Sequence, residues 1–191
     1  MSNRSDLSLI EESLEASATA MRPLDKQKIL DISHIMVSCL KRGRKVMFCG
    51  NGGSASQAQH LAAELVCKFR TNRKALRAMS LTTDTSIITA QSNDYSFKTV
   101  FSRQVEAHGR KGDVLVGLST SGNSPNIIEA FEAAKKIGIT TIALTGNDKK
   151  CKIAKVADEV LFVHSSDTAR IQEAHLVAGH IICEFVENSL V

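Results

Sequence analysis

A buried strand that ends in a glycine turn and leads into a helix constrains the fold more than any other stretch. The apolar run Lys45–Cys49 predicts the strand, and Gly50–Gly53 (GNGG) ends it, because glycine packs poorly in strands and permits positive φ. Ser54 or Ser56 is expected to cap a helix. The helix has an apolar stripe at helical spacing, formed by Ala58, Leu61, Ala62 and Leu65. Its free N–H groups and positive dipole end suit an anionic or hydroxyl-rich ligand.

His60 and Glu64 follow one turn further along this helix. Their i, i+4 spacing places both side chains on one face, at the edge of the buried side. An imidazole and a carboxylate so placed can move protons or bind a metal ion. The alternative is a surface ion pair that stabilises the helix by about 0.2–0.5 kcal/mol.

A second strand–turn–helix unit lies in the middle of the chain. Asp113–Leu118 is the clearest buried strand, and it leads into Ser119–Ser124 (STSGNS) and a helix opened by Pro125. The hydroxyls and N–H groups of this turn suit a monophosphate, and no lysine is placed as in a Walker A loop. The alternative is a serine-rich turn that caps a helix and binds nothing.

Composition limits the classes of function. The 191 residues predict one domain with a full core, and 43% hydrophobic with 23% charged residues is ordinary for a globular protein. The net charge of +4 comes from dispersed basic residues, which argues against nucleic acid binding. No apolar stretch approaches a membrane span, and the polar, acidic start at Met1–Leu14 is unlike a signal peptide. Reduced thiols in a cytosol are expected of the five cysteines, Cys39, Cys49, Cys67, Cys151 and Cys183.

Strands alternate with helices along most of the chain. Further strands are expected at Ala78–Leu81, Ile139–Leu144 and Asp158–Val163, so the fold class is α/β, with a five-stranded parallel sheet flanked by helices and a flavodoxin-like architecture. Helices are expected at Ser86–Gln91 and Phe97–Val105, with a polar break at 92–94, and at Thr168–Asn188, capped by Asp167.

Two helices precede the first strand, Ser5–Met21 and Leu24–Leu40, with Pro23 at the start of the second. They have no place in the alternating layer, and packing against another subunit would explain them. We therefore divide the chain into an assembly segment, 1–42, and an α/β unit, 43–191. The alternative is that these helices cover one edge of the sheet.

Six stretches in the same order resemble the sugar isomerase (SIS) superfamily and, within it, the phosphoheptose isomerases. They are GNGGSASQAQHLAAEL, LTTDTS, SNDYSF, GDVLVGLSTSGNSPNIIEA, TIALTGND and DTARIQEAHLVAGHIICE. The resemblance implies a cytoplasmic homotetramer with one zinc ion per active site. It also implies conversion of D-sedoheptulose 7-phosphate to D-glycero-D-manno-heptose 7-phosphate through a cis-enediol, the first step towards the nucleotide-activated heptoses of lipopolysaccharide and related glycans.

The resemblance also implies roles for individual residues. The zinc ligands would be His60, Glu64, Gln172 and His180, and Glu64 and His180 would be the acid/base pair. Contacts to the sugar phosphate would come from Glu64, Gln172 and a further set, Asn51, Gly52, Gly53, Asn93, Asp94, Ser119, Thr120, Ser121 and Ser124. Cys67 and Lys68 stand where many members have Gly-Arg. The lysine keeps the positive charge but lacks the bidentate guanidinium of arginine, which puts a phosphate contact at this position in question.

Gln172 and His180 are too far apart to bind one ion from a single continuous helix. Eight residues separate them, which is about 12 Å along a helix axis, whereas zinc–ligand bonds are about 2 Å. Either the helix breaks at Gly179, or the two side chains reach a site from different subunits. We favour the second, which places active sites at subunit interfaces.

Three other functions stay open from the sequence. One is a non-catalytic SIS regulator of the replication-initiator-binding type, although the members considered lack the counterparts of Glu64 and His180. Another is an isomerase of a different sugar phosphate. The third is a structural tetramer whose pockets bind nothing.

Overall fold

A computed structural model of the protein describes residues 6–191, so Ser5, the expected start of the first helix, lies outside the described part. One parallel sheet has the strand order β2-β1-β3-β4-β5. Its strands are β1 (Val46–Gly50), β2 (Ala78–Ser80), β3 (Val114–Ser119), β4 (Thr140–Thr145) and β5 (Glu159–Phe162). The α/β fold, the five parallel strands and the flavodoxin-like order are therefore confirmed.

Eight α-helices surround the sheet in the described part of the chain. They are α1 (Asp6–Met21), α2 (Lys26–Lys41), α3 (Gly53–Val66), α4 (Thr85–Asp94), α5 (Ser102–His108), α6 (Pro125–Ile137), α7 (Lys152–Val156) and α8 (Thr168–Leu190). A short 3-10 turn, Phe97–Thr99, joins α4 to α5. None of the described helices combines the length and hydropathy needed to cross a bilayer.

Alternate residues of each central strand supply two hydrophobic cores. On β1, Val46 and Phe48 join α2, α3 and α8 on one face, whereas Met47 and Cys49 join α5 and α6 on the other. This alternation is the period of a strand covered on both faces. It fixes α3 and α8 side by side on the same face of the sheet.

The strand order reverses between β1 and β3, because β2 lies on one side of β1 and the later strands lie on the other. The two strands pair in register from Val46 with Val114 to Gly50 with Leu118, so their turns leave the same edge next to each other. Ligands of open parallel sheets bind at such a switch point, outside the carboxyl ends of the strands. The two predicted turns therefore lie side by side.

Two local predictions are wrong, each for a physical reason. The second helix begins after Asp25, whose carboxylate accepts the Lys28 N–H, so Pro23 lies in the turn before it. The polar stretch 92–94 completes α4, and the break falls at Tyr95 and Ser96, where the Ser96 hydroxyl caps the 3-10 turn. Polar residues at an exposed helix end cost little, so polarity alone is a poor sign of a break.

The N-terminal helices differ in their packing. Ile32, Met36 and Cys39 of α2 are buried in the main core against α8, so α2 belongs to the layer that covers the sheet, contrary to expectation. Most of α1 is exposed, and its large apolar residues on the surface are Leu7, Leu9, Ile10 and Leu14. Use of the N-terminal segment, 1–42, in assembly stays a prediction.

Candidate active site and metal centre

Helices α3 and α8 bring three potential metal ligands together. The Nε2 atom of His60 lies 2.8 Å from Nε2 of His180 and 3.2 Å from Oε1 of Glu64. One donor atom from each side chain lies within 4.8 Å of the others. His60 is half exposed, at 46%, whereas Glu64 retains only 19% of its side-chain exposure, so the triad opens to solvent on one side.

Gly179 makes this meeting possible. A Cβ atom built at Gly179 would lie 2.6 Å from Cδ2 of Leu61, which is closer than carbon atoms pack. Helix α8 runs unbroken from Thr168 to Leu190, so the predicted alternative of a helix break at Gly179 is wrong. The glycine instead lets α3 and α8 approach, and His60 meets His180 because each is the neighbour in sequence of a contact residue.

The donor set of the triad fits a divalent metal ion. Two imidazoles and a carboxylate are the ligand types of three-ligand zinc sites, which keep a further position open for water or substrate. The two imidazole nitrogens already lie close enough to bind one such ion. Phe69 closes one side, with its ring centroid 5.6 Å from that of His180.

Gln172 lies at the other end of the α3–α8 contact. A Cβ atom at Gly53 would lie 2.8 Å from its Nε2 atom, so the amide rests on the glycine turn. The backbone carbonyl of Gln172 also accepts a hydrogen bond from Nε2 of Gln57, at 2.6 Å. The chain therefore brings His60, Glu64 and His180 together but places its own Gln172 beside the turn.

The first turn, at Asn51–Gly53, exposes backbone N–H groups at the start of α3. Gly52 is the N-cap, and its φ of 52° is a conformation that favours glycine. The prediction that Ser54 or Ser56 caps the helix is therefore wrong, because both serines lie inside it. The Asn51 amide is paired with the Asn126 amide through two hydrogen bonds of 2.9 and 2.8 Å. This pair ties the two turns together across the switch point.

The second turn, at Ser119–Ser124, places its hydroxyls at the start of α6. The hydroxyls of Ser119 and Ser124 lie 2.9 Å apart, and Pro125 is the first helical residue, as predicted. Thr120 and Ser121 face a cavity of about 260 Å³ together with Asn147 and Ser165 from the loops after β4 and β5 and with Thr168 at the start of α8. Hydroxyls beside a helix N-terminus suit an anionic group.

Two further predicted sugar contacts, Asn93 and Asp94, lie at the end of α4. Both are on the surface, where the Asn93 amide donates to the Asp94 carboxylate at 2.8 Å.

His175, a further histidine on α8, is fully buried, and burial lowers the pKa of its imidazole to about 4. It is therefore neutral near pH 7 and serves packing.

Sequence reasoning missed the residues that surround the triad. Phe69, Arg73 and Glu187 contact it or its supporting backbone, and Asn126 pairs with Asn51. Arg73 lies in a stretch whose only visible property is its basic, irregular character. Its partner Glu187 is more than a hundred residues away, and no local spacing connects the two.

Comparison with known proteins agrees with this architecture. A family model described as SIS domain matches residues 11–146. The fold and the two turns at the switch point thus define a sugar isomerase (SIS) domain protein.

Relatives narrow the class. The chain is 50% identical to a phosphoheptose isomerase of Clostridium acetobutylicum, over 95% of this chain and 94% of that protein. It is 51% identical to one of Aquifex aeolicus, over 85% of this chain and 84% of that protein. A solved phosphoheptose isomerase structure from Neisseria gonorrhoeae, 45% identical, superposes with a TM-score of 0.86 over 95% of this chain and 96% of its own. The chain belongs to the phosphoheptose isomerase family, and it is an isomerase.

Proposed function

We propose that this chain interconverts D-sedoheptulose 7-phosphate and D-glycero-D-manno-heptose 7-phosphate. The observation that carries the proposal is the meeting of Glu64 and His180, the pair that the reaction needs, at the triad with His60. About 50% identity to phosphoheptose isomerases over most of the chain supports the choice of substrate. We further propose that the product feeds nucleotide-activated heptose synthesis for lipopolysaccharide and related glycans.

The chemistry assigns a role to each member of the pair. Moving the carbonyl from C2 to C1 removes a proton from C1 and returns one to C2, with a cis-enediol between the two steps. The Glu64 carboxylate takes the first proton and delivers the second, because one carboxylate reaches both carbons of the planar enediol. His180 transfers the proton between the two oxygens, because one imidazole can both accept and donate a proton.

We propose zinc as the metal at this site. His60, Glu64 and His180 would hold it, with Gln172 as a further ligand, and the donor types suit zinc. When bound, zinc acts as a Lewis acid that polarises the substrate carbonyl and stabilises developing negative charge. His60 contributes by holding its nitrogen against the acid/base pair, 2.8 Å from His180.

The two turns would bind the rest of the substrate. The hydroxyls of Ser119, Thr120, Ser121 and Ser124, with the start of α6, accommodate the phosphate, whose oxygens accept from O–H and N–H donors. Asn51 contributes its backbone, since its side chain is engaged by Asn126. The backbone of Gly52 and Gly53 would contact the sugar, as would Asn93 and Asp94.

We propose that the active sites lie at the interfaces of a cytoplasmic homotetramer. Gln172 and His180 of one continuous α8 cannot share an ion, so the fourth ligand would be the Gln172 of another chain. The exposed apolar residues of α1, including Leu7 and Leu14, would be covered in such an assembly. Four of the five cysteines are buried free thiols, which fits a reducing compartment.

Mixing of inactive variants tests the shared site. Gln172→Ala chains and His180→Gln chains, dissociated and reassembled together, should regain activity at sites that take each intact residue from a different chain. Glu64→Gln mixed with His180→Gln should stay inactive, because both residues belong to one chain's triad. No recovery in the first mixture at any ratio would refute the shared site.

The decisive test of function measures isomerisation of sedoheptulose 7-phosphate before and after removal of metal by a chelator. Glu64→Gln keeps the shape of the side chain and removes the base, so turnover should fall at least about 100-fold with assembly intact. Near-parental turnover would contradict the acid/base assignment. Faster turnover of another sugar phosphate in a substrate panel would support the alternative of an isomerase with a different substrate. Binding of sugar phosphates without turnover of any of them would indicate a regulator.

A further inference from the structure

A buried ion pair joins α8 to the chain that follows α3, beyond the triad. Nε of Arg73 lies 2.9 Å from Oε2 of Glu187, and the side chains are only 5% and 1% exposed. Glu187 lies on α8, seven residues after His180 and so two turns further along the same side. Arg73 lies in the loop that follows α3.

Arg73 holds the end of α3 by its last carbonyl groups. Its guanidinium donates to the carbonyl of Glu64 at 2.9 Å and to that of Leu65 at 2.9 Å. These carbonyls lie in the final turn of the helix, where they lack intrahelical partners and favour a cation. The backbone of Glu64 is thereby fixed by a charge that is itself anchored on α8.

Glu187 holds the loop that packs on His180. Its carboxylate accepts the N–H groups of Phe69, Arg70 and Thr71 at 2.9, 2.7 and 2.8 Å. Phe69 is the residue whose ring lies against the His180 imidazole. Burial alone would raise the pKa of Glu187, but these N–H donors and Arg73 lower it to about 2, so the carboxylate is charged throughout the neutral range.

We propose that Arg73 and Glu187 are positioning residues that fix Glu64 and His180 for metal binding and proton transfer. Arg73 acts through the backbone carbonyl of Glu64, and Glu187 acts through Phe69, whose ring packs on His180. Neither residue belongs to the triad, and both act through another group. The proposal rests on the metal site of the proposed function.

Glu187→Gln tests the proposal against a matched control. The amide turns an acceptor into a donor opposite buried N–H groups and leaves Arg73 without its counter-charge. The control is Asp113→Asn, because Asp113 is also 1% exposed, pairs with Lys45 and accepts the N–H groups of Lys45 and Arg110. Asp113 precedes β3 at the amino edge of the sheet, opposite the site.

Two readouts separate positioning from stability. The first is Zn²⁺ affinity, measured by competition with a chromophoric chelator, and the second is the ¹⁵N signal of the His60 and His180 ring nitrogens without metal. Glu187→Gln should weaken Zn²⁺ binding at least about tenfold and shift both histidine signals, whereas Asp113→Asn should lower stability and change neither.

The other outcomes of these two measurements also bear on the proposal. Parental affinity and histidine signals in folded Glu187→Gln would overturn the proposal, as would equal changes in the control. If Glu187→Gln does not fold, Arg73→Lys decides by the same readouts, because it keeps the charge but cannot donate to Glu187 and both carbonyls at once. Absence of Zn²⁺ binding by the parent would defeat the zinc assignment alone, and the histidine signals would still decide the positioning role.

Discussion

Gly179→Ala should damage the metal centre far more than it damages the fold. The new Cβ atom would lie 2.6 and 2.8 Å from the two terminal methyl carbons of Leu61, which is 2% exposed. Carbon atoms pack at about 3.5–4.0 Å, so α3 and α8 must separate locally by about 1 Å or Leu61 must change rotamer.

Two opposing terms set the effect on stability. Overpacking of a core costs about 1–3 kcal/mol, whereas replacing glycine by alanine within a helix gains about 1 kcal/mol. The free energy of unfolding should therefore fall by about 0–2 kcal/mol. Metal–ligand distances tolerate only about 0.2 Å, so a displacement of His180 by several tenths of an ångström should lower Zn²⁺ affinity and turnover at least about tenfold.

Urea unfolding, chelator competition and turnover measure the three quantities in one preparation. Leu61→Ala serves as the companion variant, because it costs about 2–5 kcal/mol alone but makes room for the new methyl group. The double variant should be less destabilised than the sum of the single changes. Parental Zn²⁺ affinity and turnover in Gly179→Ala would refute the claim that close approach at Gly179 sets the triad.

Two further predictions concern the serine turn and acid stability. Ser121→Ala and Ser124→Ala should chiefly raise KM in steady-state assays, because phosphate contacts are equal in ground and transition states, and a fall in kcat alone would reverse the orientation of the substrate. The depressed pKa of Glu187 makes its ionised form stabilising above the unfolded value near 4.5, and this contribution is lost as pH falls towards about 2. The stability gap between parent and Glu187→Gln should be constant above about pH 5 and shrink below it, and a gap that persists to pH 2 would contradict this account.

The sheet was predictable because its signals are local. Buried parallel strands are continuous apolar runs, and the runs before Gly50 and Ser119 are bounded by turn residues on the side where ligands bind. The boundaries of β1, β3 and β4 fall within one residue of expectation. Asp167 caps α8 as its position suggested, with its carboxylate accepting the Ala169 N–H at 2.8 Å.

The metal triad was predictable from residue spacing only where its ligands share a helix. His60 and Glu64 are i, i+4 neighbours, so their pairing follows from helix geometry alone. His180 entered through family resemblance, since nothing local connects it to α3. Arg73 and Glu187 meet through a loop of irregular backbone, and hydrogen bonds to irregular backbone leave no periodic trace in a sequence.

Gly179 shows why a correct pattern can still allow the wrong structure. A glycine inside a helical sequence can mark a break, a cap or a close contact, and its low helix propensity does not tell these apart. What distinguishes them is the group that faces the missing Cβ, here the end of Leu61 on another helix. That close contact aligns α8 along α3, with Gln172 at the glycine turn and His180 at the triad. Because α8 also runs unbroken through this glycine, Gln172 is held away from its own chain's metal ligands.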